Sequence, residues 1–156
     1  MQERIRFTPA RFEAVYKAMI GLHATVDASG LEHSLLHLIR MRVSQINGCG
    51  FCLDMHSKEA RHAGETEQRL YLLQVWREAP IYSARERAAL AWAEAVTKLG
   101  EHGVSDEVYS QVAAEFKEQE LAALTLAIIE INGWNRIAIP FQTVPGNYRV
   151  AERASV

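Results

Sequence analysis

The chain has 156 residues and a formal net charge of -2, with 49% hydrophobic and 23% charged residues. This length fits one domain, and these proportions are those of a globular chain rather than a disordered one. The charges are interleaved without a basic cluster, which excludes the usual nucleic-acid-binding surface, and the longest apolar run (88–93) is far shorter than the ~20 residues of a membrane-spanning helix.

The first half of the chain has apolar residues at helical spacing, divided by turn signals. Thr8-Pro9 is typical of a helix start, and the first helix is expected to end near residue 28. A second predicted helix runs from residue 31 to the turn dipeptide Asn47-Gly48. A third is predicted over 49–63, directly after that turn.

The second half contains clear capping residues. Thr66 and Ser105 are each placed to cap a helix, and Ser83 with Glu86 forms a capping box that opens another. The last long helix is predicted over 118–139, with a proline at its end. No segment alternates apolar and polar residues as a strand does, so the predicted fold is all-α, a single-domain bundle of about seven helices.

The predicted domain has three parts. An N-terminal helix and linker occupy 1–30, a core with both cysteines occupies 31–145, and a C-terminal tail occupies 146–156. The N-terminus has no legible secretory signal, so a cytoplasmic location is expected. The fifth and last predicted helices are rich in alanine and apolar over most of their circumference, which favours a subunit interface and hence a homo-oligomer.

Cys49 and Cys52 are the two cysteines of the chain and form one Cys-x-x-Cys motif. In a cytoplasmic protein this motif indicates redox or metal chemistry rather than a structural disulfide. At helical spacing both cysteines and His56 fall on one face of the third helix, so the imidazole can take the proton of the Cys52 thiol or stabilise its thiolate. A helix start beside the sulfurs favours the thiolates further.

Two other interpretations of the motif remain open. The cysteines can be inert buried thiols, or they can bind zinc together with His56 and with His33 or His37 as a fourth ligand. Three ligands within two turns of one helix converge poorly on a tetrahedral ion, which makes zinc the weaker interpretation. No metal and no cofactor is therefore expected.

Several other polar residues are predicted to have structural or solvent-facing roles. Three histidines have no chemical partner visible in the sequence and are predicted to be structural: His23, His62 and His102. The charged residues of the third helix are predicted to face solvent: Asp54, Lys58, Glu59 and Arg61.

The segment 42–56, RVSQINGCGFCLDMH, resembles the alkylhydroperoxidase AhpD-like proteins of the carboxymuconolactone decarboxylase superfamily. Supporting similarity lies in WREAP (76–80), RERAALAWAE (85–94) and INGWNR (131–136), and together the resemblance spans 31–145. It implies an all-helical fold, assembly into trimers or hexamers, and peroxide reduction by a cysteine pair without metal, haem or flavin.

The resemblance also implies roles for individual residues. Cys52 corresponds to the cysteine that attacks the peroxide, Cys49 to the resolving cysteine, and His56 to a member of the proton relay. The family usually has a glutamate twelve residues before the first cysteine, and this chain has His37 there. An imidazole can also transfer protons near neutral pH, so His37 is expected to take part in the relay.

The expected function is thus a thiol-dependent peroxidase of antioxidant defence, with a hydroperoxide as substrate. A thiol or dithiol recharges it, with a lipoylated or thioredoxin-like protein as the expected donor. Two alternatives keep the reactive cysteines: a thiol-disulfide oxidoreductase that acts on another protein, and a non-enzymatic redox sensor. Neither nucleic acid nor a membrane is expected as a partner.

Overall fold

The computed structural model describes residues 2–150. A 3₁₀ helix (Leu73–Val75) continues the fourth of seven α-helices, and no β-strand occurs within 2–150, so the predicted all-α class is confirmed. The α-helices are α1 (Glu13–Asp27), α2 (His33–Asn47), α3 (Gly50–His62), α4 (Glu67–Leu72), α5 (Ala84–Thr97), α6 (Asp106–Glu115) and α7 (Glu118–Phe141).

The predicted helix caps are confirmed for α4, α5 and α6. The side chains of Thr66, Ser83 and Ser105 each accept a hydrogen bond from the backbone N–H three residues later. The Glu86 carboxylate also accepts from the Ser83 N–H, which completes the capping box of α5.

The predicted start of the first helix at Thr8 is wrong, since α1 begins at Glu13. The Thr8 carbonyl accepts from the N–H groups of Arg11 and Phe12, both at 3.1 Å, and thereby closes a separate turn. Phe12 then leaves helical geometry (φ -135°, ψ 46°), and its ring stacks on Phe7 with centroids 5.4 Å apart. Aromatic packing in this segment therefore overrides the local signal of the threonine and proline.

The last helix passes through Pro140 and ends at Phe141, two residues beyond the predicted boundary. A proline in the last turn removes only one hydrogen bond of the helix, which makes it tolerable there. Gln142 adopts a left-handed backbone (φ 54°) and ends the helix.

α2 lies at the centre of the bundle and contacts α3, α5 and α7. Its Leu36, Ile39 and Val43 are fully buried. Four alanines of α5 are buried as well, and their small side chains let the neighbouring helices approach closely: Ala88, Ala89, Ala91 and Ala93. Within residues 2–150, no helix has the length and apolar character needed to cross a membrane.

The outer surface of α7 leaves two isoleucines, Ile129 and Ile139, exposed to solvent. Burial of such residues against a second copy is favourable, so we expect a homo-oligomer. Sedimentation equilibrium at micromolar concentration should give a multiple of the 17.6 kDa chain mass. A single species at the chain mass would contradict this expectation.

Candidate active site

The turn between α2 and α3 fixes the position of the cysteines. Gly48 has a left-handed backbone (φ 71°), which favours glycine, and the N–H groups of Gly48 and Cys49 donate to the carbonyls of Gln45 and Ser44 at 3.3 and 3.0 Å. The predicted break at this turn is thus confirmed. α3 starts at Gly50, one residue later than predicted, and Cys49 is its N-cap.

Asn47 ties this turn to α7. Its side-chain amide donates to Oδ1 of Asn132 at 2.9 Å and to Oδ1 of Asn135 at 2.8 Å. The Asn135 amide in turn donates to the Ser44 hydroxyl at 3.2 Å, and both of these residues are fully buried. A satisfied buried network of this kind favours one geometry, so it holds the cysteine turn in a fixed position against α7.

Cys49 and Cys52 form a disulfide, with their Cα atoms 5.3 Å apart. Only 1% of Cys49 and 2% of Cys52 is exposed to solvent. The Cys52 N–H donates to the Cys49 sulfur at 3.3 Å, at the N-terminus of α3. In the reduced protein this N–H and the positive end of the helix would both stabilise a thiolate at Cys49.

Cys52 lines a cavity of about 350 Å³ that lies between α1, α3 and α7. His56 and Glu59 line it from the same helix, whereas Cys49 does not reach it. Aromatic side chains from five segments of the chain also line it: Phe7, Tyr16, Phe51, Trp134 and Tyr148. Cys52 is thus the sulfur that a small molecule in the cavity would meet.

His56 is 2% exposed and is oriented by a carboxylate. Its Nδ1 donates to Oε2 of Glu59 at 2.8 Å, and Oε1 of Glu59 accepts from the Tyr148 hydroxyl at 2.6 Å. The other ring nitrogen, Nε2, is buried and has no hydrogen-bond partner within residues 2–150. Nε2 is therefore the nitrogen of His56 that can exchange a proton with sulfur or substrate.

The electrostatics of this group keep Glu59 ionised. Burial opposes ionisation of the carboxyl, but the hydrogen bonds from His56 and Tyr148 outweigh it and lower the pKa of Glu59 to about 2. Burial and the bond to Glu59 raise the pKa of Tyr148, so its hydroxyl stays a donor. The prediction that Glu59 faces solvent is wrong, because a partner distant in the sequence holds it at the cavity.

The part of the predicted tail that the structure describes, 146–150, returns to α3. The Gly146 N–H donates to Oδ2 of Asp54 at 2.9 Å, and the Lys58 ammonium donates to the Tyr148 carbonyl at 3.2 Å. Asp54 and Lys58, predicted to face solvent, thus anchor the segment that carries Tyr148 to the cavity.

His37 does not share the cavity with Cys52. It lines a second pocket together with His33 and His62, near the C-terminal end of α3. Burial, and next the charge of Arg40, lower the pKa of His37, and its Nδ1 is buried without a hydrogen-bond partner within residues 2–150. The charges of Glu59 and His56 also act on it. The carboxylate that touches His56 is therefore supplied by Glu59 and not from the position of His37.

His23 has partners that the sequence does not reveal. Its Nδ1 donates to Oε1 of Glu130 at 2.9 Å, and its Nε2 lies 3.3 Å from Oδ2 of Asp27. His23 and Glu130 both line the cavity. Among residues 2–150, no group of three or more His, Cys, Asp and Glu side chains is arranged to hold a metal ion.

Two bacterial proteins have sequences similar to this chain. The chain is 40% identical over 139 residues to the uncharacterised protein YdfG of Bacillus subtilis, and the match covers 89% of this chain and 94% of YdfG. The uncharacterised protein YnjA of Escherichia coli is 32% identical over 100 residues, which are 64% of this chain and 54% of YnjA.

A solved structure of a protein of unknown function from Agrobacterium tumefaciens, proposed to be the antioxidant defence protein AhpD, is 44% identical to this chain. It superposes with a TM-score of 0.89 and covers 94% of this chain and 100% of its own. The debrominase Bmp8 shares the fold at 21% identity, with a TM-score of 0.80 over 88% of this chain and 74% of Bmp8.

The family model described as the carboxymuconolactone decarboxylase family matches residues 13–95, more than half of the chain. This match includes the cysteine turn, His56 and Glu59. With the bundle and the Agrobacterium relative, it shows that the chain is an AhpD-like member of the carboxymuconolactone decarboxylase family.

Proposed function

We propose that this protein is a cytoplasmic thiol-dependent peroxidase that reduces organic hydroperoxides in antioxidant defence. The observation that carries the proposal is the shared cavity of Cys52 and His56, with Cys52 bonded to Cys49, which does not line that cavity. The Agrobacterium relative, itself proposed to be an antioxidant defence protein, supports the same activity.

The first step is attack by the Cys52 thiolate on the outer oxygen of the hydroperoxide. The O–O bond breaks, Cys52 becomes a sulfenic acid, and the alkoxide leaves with a proton as an alcohol. Nε2 of His56 takes the proton of the Cys52 thiol and returns it to the alkoxide, because Nδ1 is committed to Glu59. Glu59 and Tyr148 act as positioning residues that fix the ring and its tautomer.

The second step regenerates a disulfide. The Cys49 sulfur attacks the sulfenic acid of Cys52, water leaves, and the observed Cys49–Cys52 bond results. A dithiol then reduces this bond through a mixed disulfide. Of the two expected donors we assign a lipoylated protein rather than a thioredoxin-like one, because a flexible lipoyl arm can reach a buried sulfur that the dithiol of a folded protein cannot. Attack at Cys52, the sulfur that lines the cavity, would release Cys49 as a thiolate stabilised by the start of α3.

His37 completes the relay in this proposal from outside the cavity. Burial lowers the pKa of His37, which favours the neutral ring, so a proton that His37 accepts is readily given up again. Its contribution is expected to be smaller than that of His56, because His37 does not line the cavity.

The burial of both cysteines favours a peroxidase over an oxidoreductase that acts on protein disulfides, because the disulfide of a folded protein cannot reach a buried sulfur. With dihydrolipoamide as reductant, we expect catalytic turnover of cumene hydroperoxide and negligible reduction of a protein disulfide such as that of insulin. The reverse preference would identify a thiol-disulfide oxidoreductase. One oxidation per chain without turnover would identify a redox sensor.

The hydrogen bond from Tyr148 predicts a pH-dependent effect on stability. Because the pKa of Glu59 is depressed from 4.5 to about 2, its stabilising contribution is complete above pH 4.5 and is lost as the pH falls through about 2. Tyr148→Phe removes one bond that holds this pKa down. We therefore expect a loss of about 1 kcal/mol in the free energy of unfolding at neutral pH, which shrinks only as the pH falls towards about 2, where Glu59 becomes protonated in the folded protein.

Urea unfolding at about pH 7 and about pH 2 measures this difference. Tyr71→Phe is the matched control, because the Tyr71 hydroxyl also donates to a glutamate, Glu67 at 3.2 Å, but on an exposed surface. Tyr71→Phe should leave the free energy of unfolding unchanged at both pH values. If Tyr148→Phe loses the same free energy of unfolding at both pH values, Tyr148 has a packing role only.

A further inference from the structure

The cavity has a second polar region, built around the buried carboxylate of Glu130. Only 1% of Glu130 is exposed, and it lines the cavity from α7. His23 donates to its Oε1 at 2.9 Å, and Nε of Arg40 donates to its Oε2 at 3.2 Å. Arg40 also contacts Asp27 at 2.8 Å, and neither of these two residues lines the cavity.

This cluster holds Glu130 in its ionised form. Burial opposes the charge of Glu130, but the hydrogen bond from His23 and the charge of Arg40 outweigh it and lower the pKa of the carboxyl. A buried charged network of this kind is rarely needed for stability, because apolar replacements of similar volume are often equally stable. None of the proposed peroxidase steps uses Glu130, so its place in the cavity wall needs another explanation.

The Glu130 carboxylate has unused capacity to accept hydrogen bonds. Two carboxylate oxygens offer about four acceptor positions, and His23 and Arg40 occupy one each. The hydrogen bond to Glu130 raises the pKa of His23, so His23 together with Arg40 offsets the negative charges of Glu130 and Asp27. A ligand that brings a neutral N–H or O–H group therefore gains a bond to a charged acceptor without adding a net charge to the cluster.

The remaining cavity surface favours an aromatic ligand. Trp134, Phe51 and Tyr16 contribute ring surface to the same lining as Cys52 and Glu130. The volume of about 350 Å³ lies at the low end of the range for small-molecule sites, which suits one substituted ring.

We propose that the Glu130 region of this cavity is a binding subsite for a neutral N–H or O–H donor carried on an aromatic ring, with the Glu130 carboxylate as the acceptor. This proposal rests on the proposed function in one respect: the peroxidase substrate is taken to bind in the cavity that Cys52 and Glu130 both line. A hydroperoxide whose ring carries such a donor is then the substrate class that satisfies both polar regions.

Binding of two small probes to the disulfide form of the full chain tests this subsite. 4-Methylphenol has the hydroxyl donor, and 4-methylanisole is the same ring with the donor methylated. We expect 4-methylphenol to bind about tenfold more tightly, as followed by NMR chemical-shift titration, because the lost bond is to a charged acceptor. Nuclear Overhauser contacts from the bound phenol to the Trp134 indole should locate it in the cavity.

Two variants distinguish a binding role of Glu130 from a general effect of disturbing the ion cluster. Glu130→Gln should reduce the preference for 4-methylphenol over 4-methylanisole to about threefold or less, since it removes the charge of the acceptor. Asp27→Asn is the matched control, because Asp27 contacts Arg40 and His23 in the same cluster but does not line the cavity. It should keep the preference of the unmodified chain.

Equal binding of the two probes to the unmodified chain would overturn the proposal, as would a preference that survives Glu130→Gln. If Glu130→Gln does not fold, equal binding or an absence of contacts to Trp134 in the unmodified chain still overturns it. The disulfide form has no free thiol, so these outcomes are independent of peroxidase turnover. A loss of the subsite and a failure of the proposed function are therefore distinguishable.

Discussion

Replacement of Cys52 by serine is expected to lower hydroperoxide consumption by at least about a thousandfold, to the level of buffer containing the reductant alone. Cys52 is the sulfur that lines the cavity, and a hydroxyl does not ionise near neutral pH. No other thiol can replace it, since Cys49 is held at the helix start outside the cavity lining. A coupled assay with cumene hydroperoxide and dihydrolipoamide measures the loss.

Cys49→Ser is the matched control for this variant, because it removes the neighbouring sulfur and equally prevents the disulfide. It should lose sustained turnover and yet consume about one equivalent of hydroperoxide rapidly, since Cys52 can still be oxidised once. If Cys52→Ser consumes one equivalent and Cys49→Ser consumes none, the roles of the two cysteines are reversed. Persistent turnover in Cys52→Ser would remove the cysteines from the mechanism altogether.

The second large effect is expected for His56→Ala, which should slow peroxide reduction by about a hundredfold or more. The variant removes the ring nitrogen that exchanges protons in the cavity, and with it the group that favours the Cys52 thiolate. Alkylation of the reduced protein by iodoacetamide, followed against pH, should show reaction that begins at higher pH than in the unmodified chain.

His37→Ala is the control that tests whether a histidine must line the cavity of Cys52 to affect the reaction. It removes an imidazole from the adjacent helix, but that ring lines a different pocket. We expect a several-fold effect at most, and no large displacement of the alkylation profile. The loss of activity in Glu59→Gln should lie between those of His56→Ala and His37→Ala, because this variant leaves the imidazole in place but removes the carboxylate that orients it. An unchanged profile in His56→Ala would exclude His56 from thiol activation.

The features that sequence predicts well here are those set by local backbone chemistry. Ser83 and Glu86 satisfy the first N–H groups of α5 with residues of the same turn, so no tertiary contact is needed to foresee that helix start. Gly48 ends α2 for a similar reason, since the left-handed turn needs glycine. The common face of Cys52 and His56 follows from helix periodicity alone.

The features that sequence does not reveal depend on partners far apart in the chain. Tyr148 bonds to Glu59 across 89 residues, and Glu130 to His23 across 107 residues. Nothing in the periodicity of α3 distinguishes Glu59 from a solvent-facing glutamate, because the difference lies in a segment that returns to the helix. A glutamate three residues after a buried histidine is the one local signal that could have drawn attention to it.

The central claim is that Cys52 is the sulfur oxidised by the hydroperoxide. Reduced Cys49→Ser protein, treated with one equivalent of cumene hydroperoxide and then dimedone, tests it most directly by peptide mass spectrometry. Dimedone should label Cys52 nearly completely, since dimedone reacts with a sulfenic acid that has no second thiol to resolve it. An absence of label at Cys52, together with label at Cys49 in the Cys52→Ser protein, would contradict the claim.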